Sequence, residues 1–145
     1  MGPGTKITVE DVSLHNVSNN RLSEKDWRWL ERARGPRYNE VDPQRFVQRA
    51  TEGAASLWRV QSTGLHVLLG LVIKETASGA RLVHVELVTG VGYFKNLEKV
   101  LVGVKVFAEY YGCEAITGAV MRAGMLKKYK PLGIEPVCEV WSLKV

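Results

Sequence analysis

The sequence predicts a single α/β domain, in the α+β sense: a mixed, mostly antiparallel central sheet flanked by helices. Three observations predict it. The elements read off the chain fall in the order β-α-α-β-β-β-α-β-α-β. The three middle strands are separated by gaps too short for a crossover helix, which makes them an antiparallel meander. One long amphipathic helix then joins the fourth predicted strand to the fifth, and a single C-terminal strand follows the last helix.

The chain opens on Lys6-Ile-Thr-Val9, alternating and β-branched, which reads as a short strand. The polar stretch after it, with Asn16, Asn19 and Asn20, has loop chemistry. Ser23 followed by Asp26 is an N-cap with an acidic first turn. Trp27, Leu30 and Ala33 give that helix its apolar stripe, and Gly35-Pro36 ends it. Asp42-Pro43 caps and opens a second helix, with Phe46, Val47 and Ala50 inward and a close near Gly53.

Residues 56–61, 64–75 and 81–88 are the meander, the last two joined by a turn at Ala77-Ser-Gly79. Strict alternation in the third puts Val83, Val85 and Leu87 on one face, and Leu82, His84, Glu86 and Val88 on the other. A histidine and a glutamate thus share a face with apolar neighbours. After a loop over 89–96, Leu97, Val100, Leu101, Val104, Ala108 and Tyr111 form one helical stripe, which Asn96 could cap and Gly112 stop. A strand over 114–120, a short helix over 124–129 and a strand over 137–145 complete the order.

With 145 residues, 46% hydrophobic and 24% charged, the chain is expected to be one domain over 1–145 with a core of its own, residues 1–4 being a disordered or tag-derived end. No apolar run has the length of a membrane span, and no signal peptide is visible, so a cytoplasmic protein is expected, in the host cytoplasm if phage-encoded. Cys113 and Cys138 lack metal-ligand spacing and read as reduced thiols, and no metal site is expected. Trp27, Trp29, Trp58 and Trp141 read as core or interface, while His15 and His66 show no partner. The net charge of +5 is spread along the chain, the one dense patch being Arg122, Lys127, Lys128 and Lys130. That patch is a solvated helix face or attracts a polyanion. Nothing else suggests nucleic-acid binding, and homo-oligomerisation is left open.

Tyr129-Lys-Pro-Leu-Gly-Ile134 resembles the Tyr-x-x-x-Gly-Phe signature of the GNAT (acyl-CoA N-acyltransferase) superfamily, with Ile134 in place of Phe. Tyr110-Tyr-Gly-Cys-Glu-Ala-Ile116 is similar to the end of that family's long helix, its glycine and the next strand. From Arg81 to Val145 every element stands in the family's order, whereas over residues 1–80 only the order of elements agrees. Gly118 to Arg122 and Leu126 to Gly133 are similar to segments of small phage-encoded GNAT-like proteins with a degenerate CoA loop.

The resemblance implies an acetyl-CoA-dependent N-acetyltransferase acting by direct attack of an amine, on an acceptor that is a small molecule or a protein. The alternative it leaves is a catalytically inactive GNAT-like phage protein, a binding or virion-associated module. In the family a glycine-rich loop before the long helix holds the CoA pyrophosphate on backbone N–H groups. Here that stretch is Thr89-Gly-Val-Gly-Tyr-Phe-Lys-Asn96, without the usual Gln or Arg, and with Phe94 and Asn96 where glycines are common. The implied cofactor-binding residues are Val88, Gly90, Val91, Gly92, Tyr93, Phe94, Lys95 and Asn96, with Val88 or Thr89 supplying the oxyanion N–H. Tyr129 would protonate the leaving thiolate, and Glu86, with His84 beside it, would take the proton of the amine.

Overall fold

The computed structural model describes residues 1–35, 40–118, 130–135 and 143–144. Among them six strands form one sheet in sequence order: β1 (Lys6–Val9), β2 (Val12–Asn16), β3 (Ser56–Ser62), β4 (Leu65–Glu75), β5 (Arg81–Val91) and β6 (Ala115–Gly118). Neighbours pair antiparallel except β5 and β6, which are parallel. Three α-helices, α1 (Glu24–Arg32), α2 (Pro43–Thr51) and α3 (Leu97–Tyr110), cover the sheet, and a 3₁₀ turn spans Lys130–Leu132.

The stretch expected to be a loop contains a strand. Val12 and Leu14 alternate with Ser13 and His15, and Val12 and Leu14 are buried in the core while β2 pairs with both β1 and β3. The asparagines that suggested a loop serve its end: Asn16 accepts from the Ser18 N–H and hydroxyl, and its amide donates to the Met1 carbonyl. This extra strand moves the long helix from between the fourth and fifth strands to between the fifth and sixth. The short helix expected over 124–129 lies outside the described residues, as does most of the final strand over 137–145.

Helices α1 and α2 begin, and α3 ends, where their sequence chemistry requires. Ser23 and Asp26 form a reciprocal capping box at α1, and Asp42 accepts from the Gln44 and Arg45 N–H groups ahead of Pro43 at α2. At the end of α3, the Gly112 N–H bonds Glu109 O at 3.2 Å and the Cys113 N–H bonds Ala108 O at 2.8 Å. That double bond pattern needs a left-handed residue, and Gly112 supplies it with φ +67°. Asn96 does not cap α3 with its side chain, as the sequence suggested. Its amide is spent on the Gly92 and Gly64 carbonyls.

Two cores lie on opposite sheet faces. Val100, Val104, Phe107 and Ala108 of α3 pack on Val12, Leu14, Trp58, Val60, Val67, Leu69 and Val83. Trp29 and Leu30 of α1, with Phe46 and Ala50 of α2, pack on Leu57, Leu68, Val72 and Leu87. Gly103 lets α3 approach closely, since a Cβ there would press on Leu14 Cδ2. Trp29 and Trp58 are core residues as expected, and Trp141 lies outside the described residues.

Candidate active site

The site is built on an irregularity in β5. Pairing with β4 runs Leu71↔Val85 and then Gly70↔Leu87, so Glu86 is an extra, unmatched residue: a β-bulge. The bulge corrects the expected faces. Val83, Val85 and Val88 pack on the α3 side, whereas Leu87 turns to the α1/α2 side. His84 lies opposite Val72, a residue of the α1/α2 core, and Glu86 reaches Arg49 of α2, so both acids and bases of interest face α1 and α2. Among the described residues, pairing of β5 with β6 runs from Leu82↔Ala115 to Val85↔Gly118, and β5 continues to Val91. The bulge at Glu86 follows directly on Val85↔Gly118, the last pair among the described residues.

Gly70 fixes how α2 meets this bulge. A Cβ on Gly70 would lie 2.5 Å from Phe46 Cζ and 2.8 Å from Leu87 Cγ, so the missing side chain is what seats the Phe46 ring. Arg49, one helical turn on, stacks over that ring with its guanidinium carbon 5.7 Å from the centroid. From there Arg49 Nη1 donates to both Glu86 carboxylate oxygens, at 3.3 and 3.1 Å. The pair is partly buried. His84 instead bonds across the seam, its Nδ1 2.8 Å from the Thr117 hydroxyl of β6. Burial and the Lys74 ammonium push the His84 imidazole below its ordinary value of 6.5, against an opposing pull from Glu86. At neutral pH it is an uncharged base.

β5 runs on through Gly90 to Val91, into the stretch expected to be a loop over 89–96, and its end and the loop after it are fastened to β4. Gly90 takes φ +136°, and a Cβ there would overlap the His66 carbonyl and stand 2.7 Å from Val67 Cα. Gly92, at φ +81°, lies against the Gly64 carbonyl, which also accepts from the Asn96 amide at 3.2 Å. Asn96 closes the loop through its own N–H and its side chain, both donating to Gly92 O, at 3.1 and 2.8 Å. The glycines are thus required by a tight turn against the neighbouring strand. Val91 and Phe94 are exposed, Lys95 points to solvent, and Tyr93 packs with Leu97. The loop leads directly into the first turn of α3, whose N–H groups have no partner within the helix.

Tyr129 lies outside the described residues, but the segment that follows it does not. Leu132 and Ile134 pack against Leu97 and Leu101, bringing the rest of the Tyr-x-x-x-Gly motif to the start of α3. Of the basic patch, only Lys130 is described, and it is exposed. Among the described residues no group of three His, Cys, Asp or Glu side chains converges as a metal site would need. None of the described helices is long and apolar enough to cross a membrane.

A second polar cluster sits under α1. Arg59 of β3 makes two hydrogen bonds to Asp26, at 3.0 and 2.8 Å, and its Nη1 is 3.0 Å from His66 Nε2. The His66 ring packs edge-on to Trp29 with centroids 5.0 Å apart, and the Thr89 hydroxyl donates to the Trp29 carbonyl at 2.6 Å. His66 therefore has partners the sequence did not reveal, and His15 stands opposite Arg59 in the β2–β3 register. Burial raises the Asp26 carboxyl, but hydrogen bonds from Arg59 and Ser23 outweigh it, so its titration is lowered. Arg49, Arg59 and Thr117 were missed because their partners lie more than thirty residues away, at 37, 33 and 33 positions. Only the folded sheet brings them together.

The fold is shared with solved N-acetyltransferases over the length of the chain. An aminoglycoside N-acetyltransferase in complex with CoA is 12% identical, with 100% of this chain and 99% of that one covered at a TM-score of 0.62. An acetyltransferase from Trypanosoma brucei is 18% identical, covering 93% and 100% of the two chains, at 0.58. Glucosamine-6-phosphate N-acetyltransferase from Arabidopsis thaliana is 14% identical, covering 93% and 99%, at 0.57. No model of a protein family matches the chain, and no curated protein matches it. At these identities the likeness establishes the GNAT-type fold.

Proposed function

We propose that the protein is a CoA-dependent N-acetyltransferase that transfers an acetyl group from acetyl-CoA to an amine by direct attack. The observation that carries this reading is the β-bulge at Glu86, in the strand that leads to the loop and to α3. The bulge at Glu86 breaks the pairing register of β5, and the strand beyond it leads to the loop and to α3. A thioester lying along β5 beyond the bulge would meet backbone N–H groups near Val88 and Thr89, which would stabilise the tetrahedral oxyanion. The pyrophosphate would lie at the end of β5 and the loop after it, formed by Val88, Gly90, Val91, Gly92, Tyr93, Phe94, Lys95 and Asn96. The first-turn N–H groups of α3 and the charge of Lys95 favour an anion there.

The complex of the aminoglycoside enzyme with CoA supports a CoA-type ligand for this fold. Tyr129, by its place in the signature motif, is the proposed proton source for the departing thiolate. The acceptor amine would approach from the α1/α2 face, where His84 and Glu86 lie, and one of them would take its proton. Backbone hydrogen exchange tests the reading locally. Addition of acetyl-CoA should slow exchange of the amides from Val88 to Lys99 and leave the β1–β2 hairpin unaltered. Equal exchange with and without saturating acetyl-CoA throughout that segment would count against it.

A further inference from the structure

Two groups on the α1/α2 face of β5 are able to accept a proton, and they are not in equivalent surroundings. Glu86 has both carboxylate oxygens engaged by Arg49 Nη1, and Arg49 is itself held over the Phe46 ring. Taking a proton at Glu86 would leave the partly buried guanidinium of Arg49 without its counter-charge, which is costly away from bulk water. His84 carries no such obligation. Among the described residues its hydrogen bond is to a neutral hydroxyl, Thr117 Oγ1, across the β5–β6 seam.

We infer that His84 is the base that takes the proton of the acceptor amine, with Thr117 as its positioning residue and Glu86 as the counter-charge to the imidazolium. This inference rests on the acetyltransferase reading given above. In this assignment the ring carries its proton on Nδ1, which donates to Thr117 Oγ1 across the 2.8 Å contact, and the lone pair of Nε2 is left to accept. In the step, Nε2 takes one proton from the acceptor ammonium, and the freed nitrogen lone pair attacks the thioester carbon. The C–N bond forms, the C–S bond breaks, and the second nitrogen proton ends on sulfur to give the thiol. The proton on His84 then passes to solvent. When the ring is charged, Nδ1–H still donates to Thr117, so the contact serves both states.

The groups around the ring set its charge in opposing senses. Lys74 on β4 disfavours the imidazolium and Glu86 on β5 favours it, with Arg49 on α2 acting through Glu86; Thr117 on β6 is neutral. Burial adds to the effect of Lys74, so the ring is neutral and available as a base at pH 7.

The test is release of CoA thiol from acetyl-CoA with ethylamine as the acceptor, measured against pH for the full chain and its variants. Calorimetric titration of each variant with CoA accompanies it. His84→Gln is expected to lower kcat/KM by ~10²-fold or more and to abolish the acidic limb of the profile, with CoA affinity unaltered. Thr117→Val is expected to lower it by about 10-fold and move the limb to lower pH, because the imidazolium loses its acceptor; Thr117→Ser should restore both. Glu86→Gln should keep the limb and displace it to lower pH. A limb that survives in His84→Gln, or vanishes in Glu86→Gln, overturns the assignment. So does wild-type protein that binds CoA yet releases no thiol to ethylamine above background. Absence of CoA binding by the wild type would instead overturn the acetyltransferase reading itself.

Discussion

Phe46 occupies the space that a side chain on Gly70 would fill, and through that contact α2 is seated on the bulge of β5. The consequence reaches the candidate site, because Arg49 one turn later is then placed over Glu86. A glycine in the middle of a long central strand is otherwise unfavourable, since it gives up both a packing surface and backbone restriction. Here the absent Cβ is what allows helix and sheet to come together.

Gly70→Ala should therefore destabilise the protein by about 1–3 kcal/mol through overpacking. The contacts to be displaced are a ring edge and a buried leucine, neither of which is the loose end of a flexible chain. Urea denaturation would measure the loss. Phe46→Leu in the same background should recover part of it, and a neutral Gly70→Ala would show that α2 does not seat as described.

The Asp26–Arg59 pair makes a second stability prediction. Asp26 is 7% exposed at its side chain and Arg59 21%. Arg59→Leu leaves a buried carboxylate unpaired and should cost about 3–5 kcal/mol. The double variant Asp26→Leu, Arg59→Leu removes both charges, and it should lie closer to the wild type than the Arg59 single variant does. Equal losses in single and double variants would mean that the capping box at Ser23, rather than the ion pair, holds α1.

Much of this arrangement was legible in the sequence, and the remainder was not for identifiable reasons. The caps at Ser23 and Asp42, the turn at Gly79 and the buried stripe of α3 all depend on near neighbours, which is the information a sequence carries directly. Strand β2 has its alternating Val12 and Leu14, but the asparagines beyond it masked the signal. The faces of β5 were misread past Val85 because a bulge breaks the two-residue period, and nothing local to Glu86 announces one. Phe107 was missed as a core residue, although it packs between Trp58 and Tyr111. Long-range partners such as Arg49 and Thr117 emerge only from the fold.

Stability should depend on pH through the three histidines. Burial lowers the titration of His15, His66 and His84 from the ordinary 6.5, helped by Lys6 and Arg59 at His15, Arg59 and Lys25 at His66, and Lys74 at His84. The unfolded chain then binds more protons than the folded one below 6.5, so acid favours unfolding. The contribution is fully present above pH 6.5 and is lost as pH falls through the lowered folded values. The urea midpoint should be flat from pH 8 to 7 and decline below about 6.5, with His66→Gln reducing the decline. A midpoint that rises on acidification through this range would contradict the assignment.

The glycines proposed to serve a ligand also shape the backbone that carries them. Gly92 combines a positive φ with the Gly64 carbonyl at contact, so a side chain there strains the turn. Gly92→Ala should cost about 1–3 kcal/mol from backbone strain alone. Thermal melting without ligand measures this, and an unaltered Tm would indicate that the turn can open without penalty.

The account depends most directly on whether acetyl-CoA binds. Calorimetric titration of the full chain should give saturable heat with one site per chain. The Tm should rise with ligand as binding to the folded state requires, by a stabilisation of about 2.7 kcal/mol at a hundredfold excess over Kd. Saturating acetyl-CoA that produces neither heat nor a change in Tm would contradict the acetyltransferase reading, and the bulge of β5 would then be a feature of the fold alone.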